Sequence, residues 1–250
     1  MFVSIQHKGK NYRADLGKPI DISIPLRAGK HNVNAWNAQP VKIEPVHVGN
    51  WVGEVKSGAP VNFRNIFFNP HGNGTHTECV GHISKEDYSI NQCLKEFFFI
   101  AEVISILPDE LPNGDKVITD KHIMNCLGDK RPEALIVRTI SNPVAKMNIQ
   151  YSGTNPPYLT NEAMSYIVSL GISHFLIDLP SVDREDDGGK LSCHHIFWNY
   201  PQDTKQERTI TEFIYVPNTV FDGAYLLNLQ IASFENDATP SKPVLFQLVV

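Results

Sequence analysis

The sequence predicts an α/β domain that is rich in strands, with a mixed sheet and few helices. Three observations predict it. The short apolar runs "FFFIAEVISIL" (97–107), "ALIVRTI" (134–140) and "HFLIDLP" (174–180) have the length and content of buried strands. The clearest amphipathic helix, "TNEAMSYIVSLG" (160–171), lies between the last two, so a right-handed crossover with some parallel pairing is expected. The tail then offers three further strands in "RTITEFIYV" (208–216), "AYLLNLQIASF" (224–234) and "KPVLFQLVV" (242–250).

Taken in chain order, "DISIPL" (21–26) reads as a short strand. The irregular "RAGKHNVNAWNAQP" follows, and "VKIEPVHVGNW" (41–51) then alternates like an edge strand. In the helix, Thr160 is placed to cap the start, Met164, Ile167 and Val168 form one apolar stripe, and Gly171 stands where the chain turns out. No repeat, low-complexity tract or linker divides the 250 residues, so residues 1–250 are expected to form a single domain.

Composition narrows the function. A hydrophobic fraction of 42% with 20% charged residues is that of a folded globular chain. The net charge of −5, without a lysine/arginine run, argues against a nucleic-acid groove or an anionic membrane surface. No stretch reaches the ~18 apolar residues of a membrane span, and the start lacks the pattern of a secretory signal. Cys79, Cys93, Cys126 and Cys193 show no C-x-x-C spacing and read as reduced thiols, so a cytoplasmic location is expected.

One segment stands apart. "NPHGNGTHTECVGHI" (69–83) carries His71, His76 and His82 with Glu78 inside twelve positions, where ten histidines in 250 residues predict about half a histidine. A hydrated loop with turn-capping histidines would account for the composition; the spacing points to a cation site. His76 and Glu78 are two apart, so in an extended segment both leave the same face. Gly72 and Gly74 let the backbone bring His71 back, and a turn at Gly81 would bring in His82. By the same parity Cys79 points away, as a small buried residue. Imidazole and carboxylate donors suit zinc first and manganese second.

The motif H-x-x-G-T-H-x-E-x-x-x-H resembles the signature of the cyclase family of metal-dependent hydrolases, whose best-understood members are the bacterial kynurenine formamidases. The resemblance continues through "DISIPL", "YLTNEAMSYIVSLGISHFLIDLPSVD" (158–183), "CHHIFW" (193–198), "ITEFIYV" (210–216) and "DATPSKPVL" (237–245). The chain departs from the usual H-x-G-T-H-x-D-x-P-x-H in one extra residue between His71 and His76, in Glu78 for aspartate, and in Val80 for proline. The resemblance implies a swivelling β/β/α fold and a centre for one or two divalent ions. His71, His76, Glu78, His194 and Glu212 would be the ligands and His82 the catalytic histidine. Alternation along a strand would let only one of His194 and His195 ligate, and the motif favours His194. Asp178 and Asp183 read as turn and capping residues.

The expected activity is hydrolysis of a C–N bond in a small amide, an arylformamide or cyclic amide, by metal-activated water, with His82 as acid and base. A lyase or dehydratase of the same family, or a silent ligand-binding relative, are the alternatives. Ser181 lacks the glycine-flanked elbow of serine hydrolases. Trp36 is a candidate wall for an aromatic substrate. The partners expected are a small-molecule substrate and further copies of the chain in a homo-oligomer.

Overall fold

The computed structural model describes residues 1–249. An N-terminal hairpin, β1 (Phe2–His7) and β2 (Lys10–Asp15), leads to β3 (Ile20–Asp21). An excursion then carries β4 (Lys42–Pro45), β5 (His47–Val48), β6 (Trp51–Val52) and β7 (Arg64–Phe67). After β8 (His76–Glu78) come the single turn α1 (Ile90–Cys93), β9 (Phe98–Ile106), β10 (Asp109–Glu110), β11 (Lys116–Ile118), α2 (Asp120–Leu127) and β12 (Ala134–Thr139). The chain finishes with β13 (Tyr158–Leu159), α3 (Asn161–Ser169), β14 (His174–Ile177), α4 (Ser192–Trp198), β15 (Thr209–Glu212), β16 (Gly223–Ile231) and β17 (Ala238–Val249).

One sheet dominates, and it closes on itself. Its order runs β17-β16-β9-β12-β14-β15-β8, and β8 pairs β17 as well as β15. β9, β12, β14 and β15 are parallel and their remaining partners antiparallel, so the sheet is mixed as expected. Closure removes the exposed edges that such apolar strands would otherwise present.

Strand parity sorts the core into two sides. Along β12, Leu135 and Val137 pack with Ile123, Met164, Ile167 and Phe197 under α2, α3 and α4. Ala134 and Ile136 point the other way, to Val103, Leu176, Leu227 and Leu245 inside the barrel. Each fully buried side chain of this size stabilises the fold by roughly 1.5–3 kcal/mol. The crossover is present: Thr160 caps α3 by accepting from the Ala163 amide, Gly171 turns the chain out at φ +76°, and β14 lies parallel to β12.

Some sequence expectations need correction. Of the first candidate, 21–26, only Asp21 lies in a strand, at the end of β3, because its Oδ1 takes both the amide and the hydroxyl of Ser23 and starts a turn. The 41–51 run is split: β4 ends at Pro45, and β5 and β6 form their own hairpin about Gly49, at φ +57°. β17 begins at Ala238, four residues ahead of the apolar run, where it reaches back to β8. "CHHIFW" is helical, as α4, and no strand. Among the described residues, no helix is long and apolar enough to cross a membrane.

Candidate metal centre

The centre begins with three residues of β8. His76 and Glu78 leave one face of the strand, while Thr77 between them bonds Thr211 at 2.8 Å on the other. Antiparallel pairing sets Glu212 opposite His76, and their side chains approach to 3.4 Å. Glu212 is therefore buried, not an exposed strand acid. The next residue, Phe213, turns the chain with φ +54° and lies beside the His76 ring, centroids 5.9 Å apart. The site thus occupies the carboxyl ends of β14 and β15, where open α/β sheets also bind their ligands.

His71 reaches the cluster because Gly72 has no side chain. A Cβ there would stand 2.5 Å from Ala38 Cβ. The inserted loop is ordered by its asparagines: Asn73 Oδ1 accepts the Asn69 amide and Asn69 Oδ1 the Gly72 amide. His82 arrives on a 3₁₀ turn over Val80–His82. Gly81 matters here through close approach, not through a positive φ, because a Cβ would meet the Tyr88 carbonyl at 2.3 Å.

His194 comes from α4, and the helix settles its choice over His195. Successive helical residues diverge by about 100°, so the two rings need not lie on opposite faces. His194 turns inward, 3.1 Å from Glu78 Oε1, whereas His195 Nδ1 bonds the Tyr200 carbonyl at 3.0 Å. Asp183 both caps and orients. Its carboxylate accepts the Cys193 amide at 2.8 Å, and its Oδ2 holds His194 Nδ1 at 2.6 Å. Asp178, read from sequence as a turn residue, instead forms a buried ion pair with Lys146 at 2.6 Å.

The three imidazoles of His71, His76 and His194 share one arrangement. Each has its rear nitrogen on an oxygen acceptor: His76 Nδ1 on Gly74 O at 3.0 Å, His194 Nδ1 on Asp183, and His71 Nε2 on Asp237 Oδ2 at 2.8 Å. The front nitrogens face the carboxylates. His71 Nδ1 lies 3.1 Å from Glu78 Oε2, and His76 Nε2 lies 4.0 Å from the same oxygen. His76 Nε2 and Glu78 Oε2 are buried and have no hydrogen-bond partner. Orphaned polar atoms of this kind call for an explanation, and a cation between them supplies one. Three overlapping triads could hold an ion, each with donor atoms within 4.8 Å of one another: His71, His76 and Glu78; Glu78, His82 and His194; and His71, His82 and Asp237.

The electrostatics agree. Burial pushes Glu78 up, but the imidazoles of His82, His194 and His71 outweigh it and hold the carboxyl well below its usual range. Burial pulls His194 and His71 down. Asp183 and Glu78 around His194, and Asp237 and Glu78 around His71, reverse this and hold both near 10. Beside the cluster lies a cavity of about 290 Å³, walled by Trp36, Pro180 and Leu191 and by His71, His82, His194 and Glu212. Sequence reasoning gave Asp237 no role, although the residue opens the closing stretch that carried the resemblance.

Residues 20–184 match the family described as "Putative cyclase", well over half of the chain. The chain belongs to the cyclase family. Comparison of this cyclase-family chain with curated proteins finds no match. Solved structures share its fold at low identity. A structure described as a potential metal-dependent hydrolase with cyclase activity is 16% identical, covers 92% of this chain and 97% of its own, and has a TM-score of 0.65. Isatin hydrolase A from Labrenzia aggregata, bound to benzyl benzoate, is 14% identical over 92% and 93% of the two chains, at a TM-score of 0.67. An isatin hydrolase bound to the product analogue thioisatinate is 18% identical over 92% of each chain, at 0.65.

Proposed function

We propose that this protein is a metal-dependent hydrolase that cleaves the C–N bond of a small amide, an arylformamide or a cyclic amide. The carrying observation is the set of convergent imidazole front nitrogens with His76 Nε2 and Glu78 Oε2 orphaned beside an open cavity. Similarity to isatin hydrolases, in fold, supports the amide reading.

His71, His76, Glu78, His194 and Glu212 would hold one or two divalent ions, zinc before manganese on donor chemistry. Such an ion polarises a carbonyl and lowers the pKa of a bound water from 15.7 to about 7. The chain's own residues do the rest. His82, half-buried at the cavity wall, has Nδ1 facing the carboxylates of Glu78 at 3.8 Å and Asp237 at 3.5 Å, which leaves its Nε2 to accept a proton and give it to the departing nitrogen. Trp36 and Leu191 exclude water from one side of a planar substrate. Both hold left-handed backbone, φ +58° and +44°, the kind of strain that gathers at functional sites.

The test pairs elemental analysis of the purified protein with a hydrolysis screen of arylformamides and cyclic amides. His76→Ala is expected to lose both metal and rate, while His82→Ala keeps the metal and loses about 100-fold or more in rate. Metal-free wild-type protein that still hydrolyses these amides would refute the reading, and a dehydrated product would assign a lyase instead.

A further inference from the structure

Asp237 lies just ahead of β17 and is not among the expected ligands. Its Oδ2 is shared by two imidazoles: His71 Nε2 at 2.8 Å and His82 Nδ1 at 3.5 Å. The backbone holds it in place, because the Cys79 amide donates to Asp237 O at 3.0 Å. Gly81 makes room for it as well, since a Cβ at 81 would stand 3.1 Å from Asp237 Cβ. The rings it touches lie almost together, with centroids 4.4 Å apart. One carboxylate therefore reaches both a ring aimed at Glu78 and the ring assigned to proton transfer.

We propose that Asp237 is the positioning residue of this centre, fixing the orientation of His71 and His82 with a single carboxylate oxygen. The inference rests on the metal-hydrolase reading above. The physical reason is the tautomer. A carboxylate accepts, so the His71 nitrogen facing Asp237 keeps its proton, and Nδ1 is the nitrogen that would give up its own to a cation and present its lone pair beside Glu78. His194 receives the same service from Asp183 and His76 from the Gly74 carbonyl. Without Asp237, His71 would be the one imidazole of the three free to rotate or to present the wrong nitrogen, and His82 would lose its neighbouring charge. Carboxylates in this position behind a ligand histidine are worth about 10- to 100-fold in metal affinity.

The test uses the full chain with zinc as probe. Asp237→Asn keeps size and an acceptor oxygen while removing charge and forcing a choice of amide orientation. It is expected to bind zinc about 10- to 100-fold more weakly in competition with a chelator. At saturating zinc its kcat on the best amide should fall about tenfold or more with KM little changed, because the cavity walls are untouched. Wild-type zinc affinity in this variant overturns the proposal, and so does an unchanged kcat at saturating zinc. Nitrogen-15 spectra of the zinc-loaded wild type give a reading that does not depend on a variant folding: His71 should carry its proton on Nε2, and a proton on Nδ1 overturns the assignment. Wild-type protein that neither takes up zinc nor cleaves an amide would instead sink the hydrolase reading itself.

Discussion

Glu78 gathers the charge of the site. Its two oxygens face His194 at 3.1 Å and His71 at 3.1 Å, with His82 at 3.8 Å. Because His71 and His194 are held near 10, each keeps a proton throughout the neutral range, and a cation competes with those protons for the same nitrogens. The sign follows directly. Below about pH 10 the ligands are protonated, so raising the pH removes the competitor and tightens binding. Zinc affinity should rise about tenfold per pH unit for each proton displaced, between pH 6 and 8. Calorimetric titrations in buffers of different ionisation heat would count the protons released; an affinity independent of pH would show that these rings do not ligate. The pairing of His76 with Glu78 was legible in the sequence, since side-chain period two fixes which residues share a face. The two rear carboxylates were not, because Asp183 and Asp237 lie far along the chain from the β8 histidine segment and meet it only through the fold.

At the scale of elements, α4 shows why local pattern misled. It has seven residues, two adjacent histidines and a run of Ile, Phe and Trp, which reads equally well as a buried strand. Its start is not set by a neighbouring residue: Leu191 at the cap position supplies no side-chain bond, and Asp183, ten residues before Cys193, takes the first free amides. Such a cap across a loop leaves no signature in a window of sequence. It also couples helix stability to the metal centre, because the same carboxylate orients His194. Asp183→Ala should therefore lower unfolding free energy by about 3–5 kcal/mol in metal-free protein, through the lost cap and, more, through the lost partner of the buried His194 ring. It should also weaken zinc binding by about 10- to 100-fold, through the lost orienting bond. Chemical denaturation and chelator competition measure the two separately. A stability loss without an affinity loss would leave Asp183 as a cap alone.

For the whole molecule, the apolar runs and the helix between β12 and β14 announced a strand-rich α/β domain, because their contacts follow from local period and a nearby crossover. Barrel closure was hidden. It depends on β8, three residues long, finding partners on both sides from β15 and from the first residues of β17. That pairing is non-local and carries no periodic signal. The closed barrel also buries a titrating group away from the metal centre. His174 begins β14, at the opposite end from Ser181, where it bonds Thr209 Oγ1 at 2.9 Å and lies against Phe99 with centroids 3.9 Å apart. Burial lowers its pKa from 6.5 to about 4. In the unfolded chain the ring protonates near 6.5, in the folded chain only near 4. Between these values the unfolded state binds the extra proton, so the stability this residue contributes is present above pH 6.5 and is lost as the pH falls towards 4. The loss amounts to roughly 3 kcal/mol at order of magnitude. His174→Gln should lower stability at pH 8, where it removes the packing against Phe99, yet flatten the acid limb between pH 6.5 and 4. Denaturant midpoints measured across that range decide the matter: an acid limb as steep in the variant as in the wild type would mean that other groups drive the loss, and that His174 is already charged in the fold.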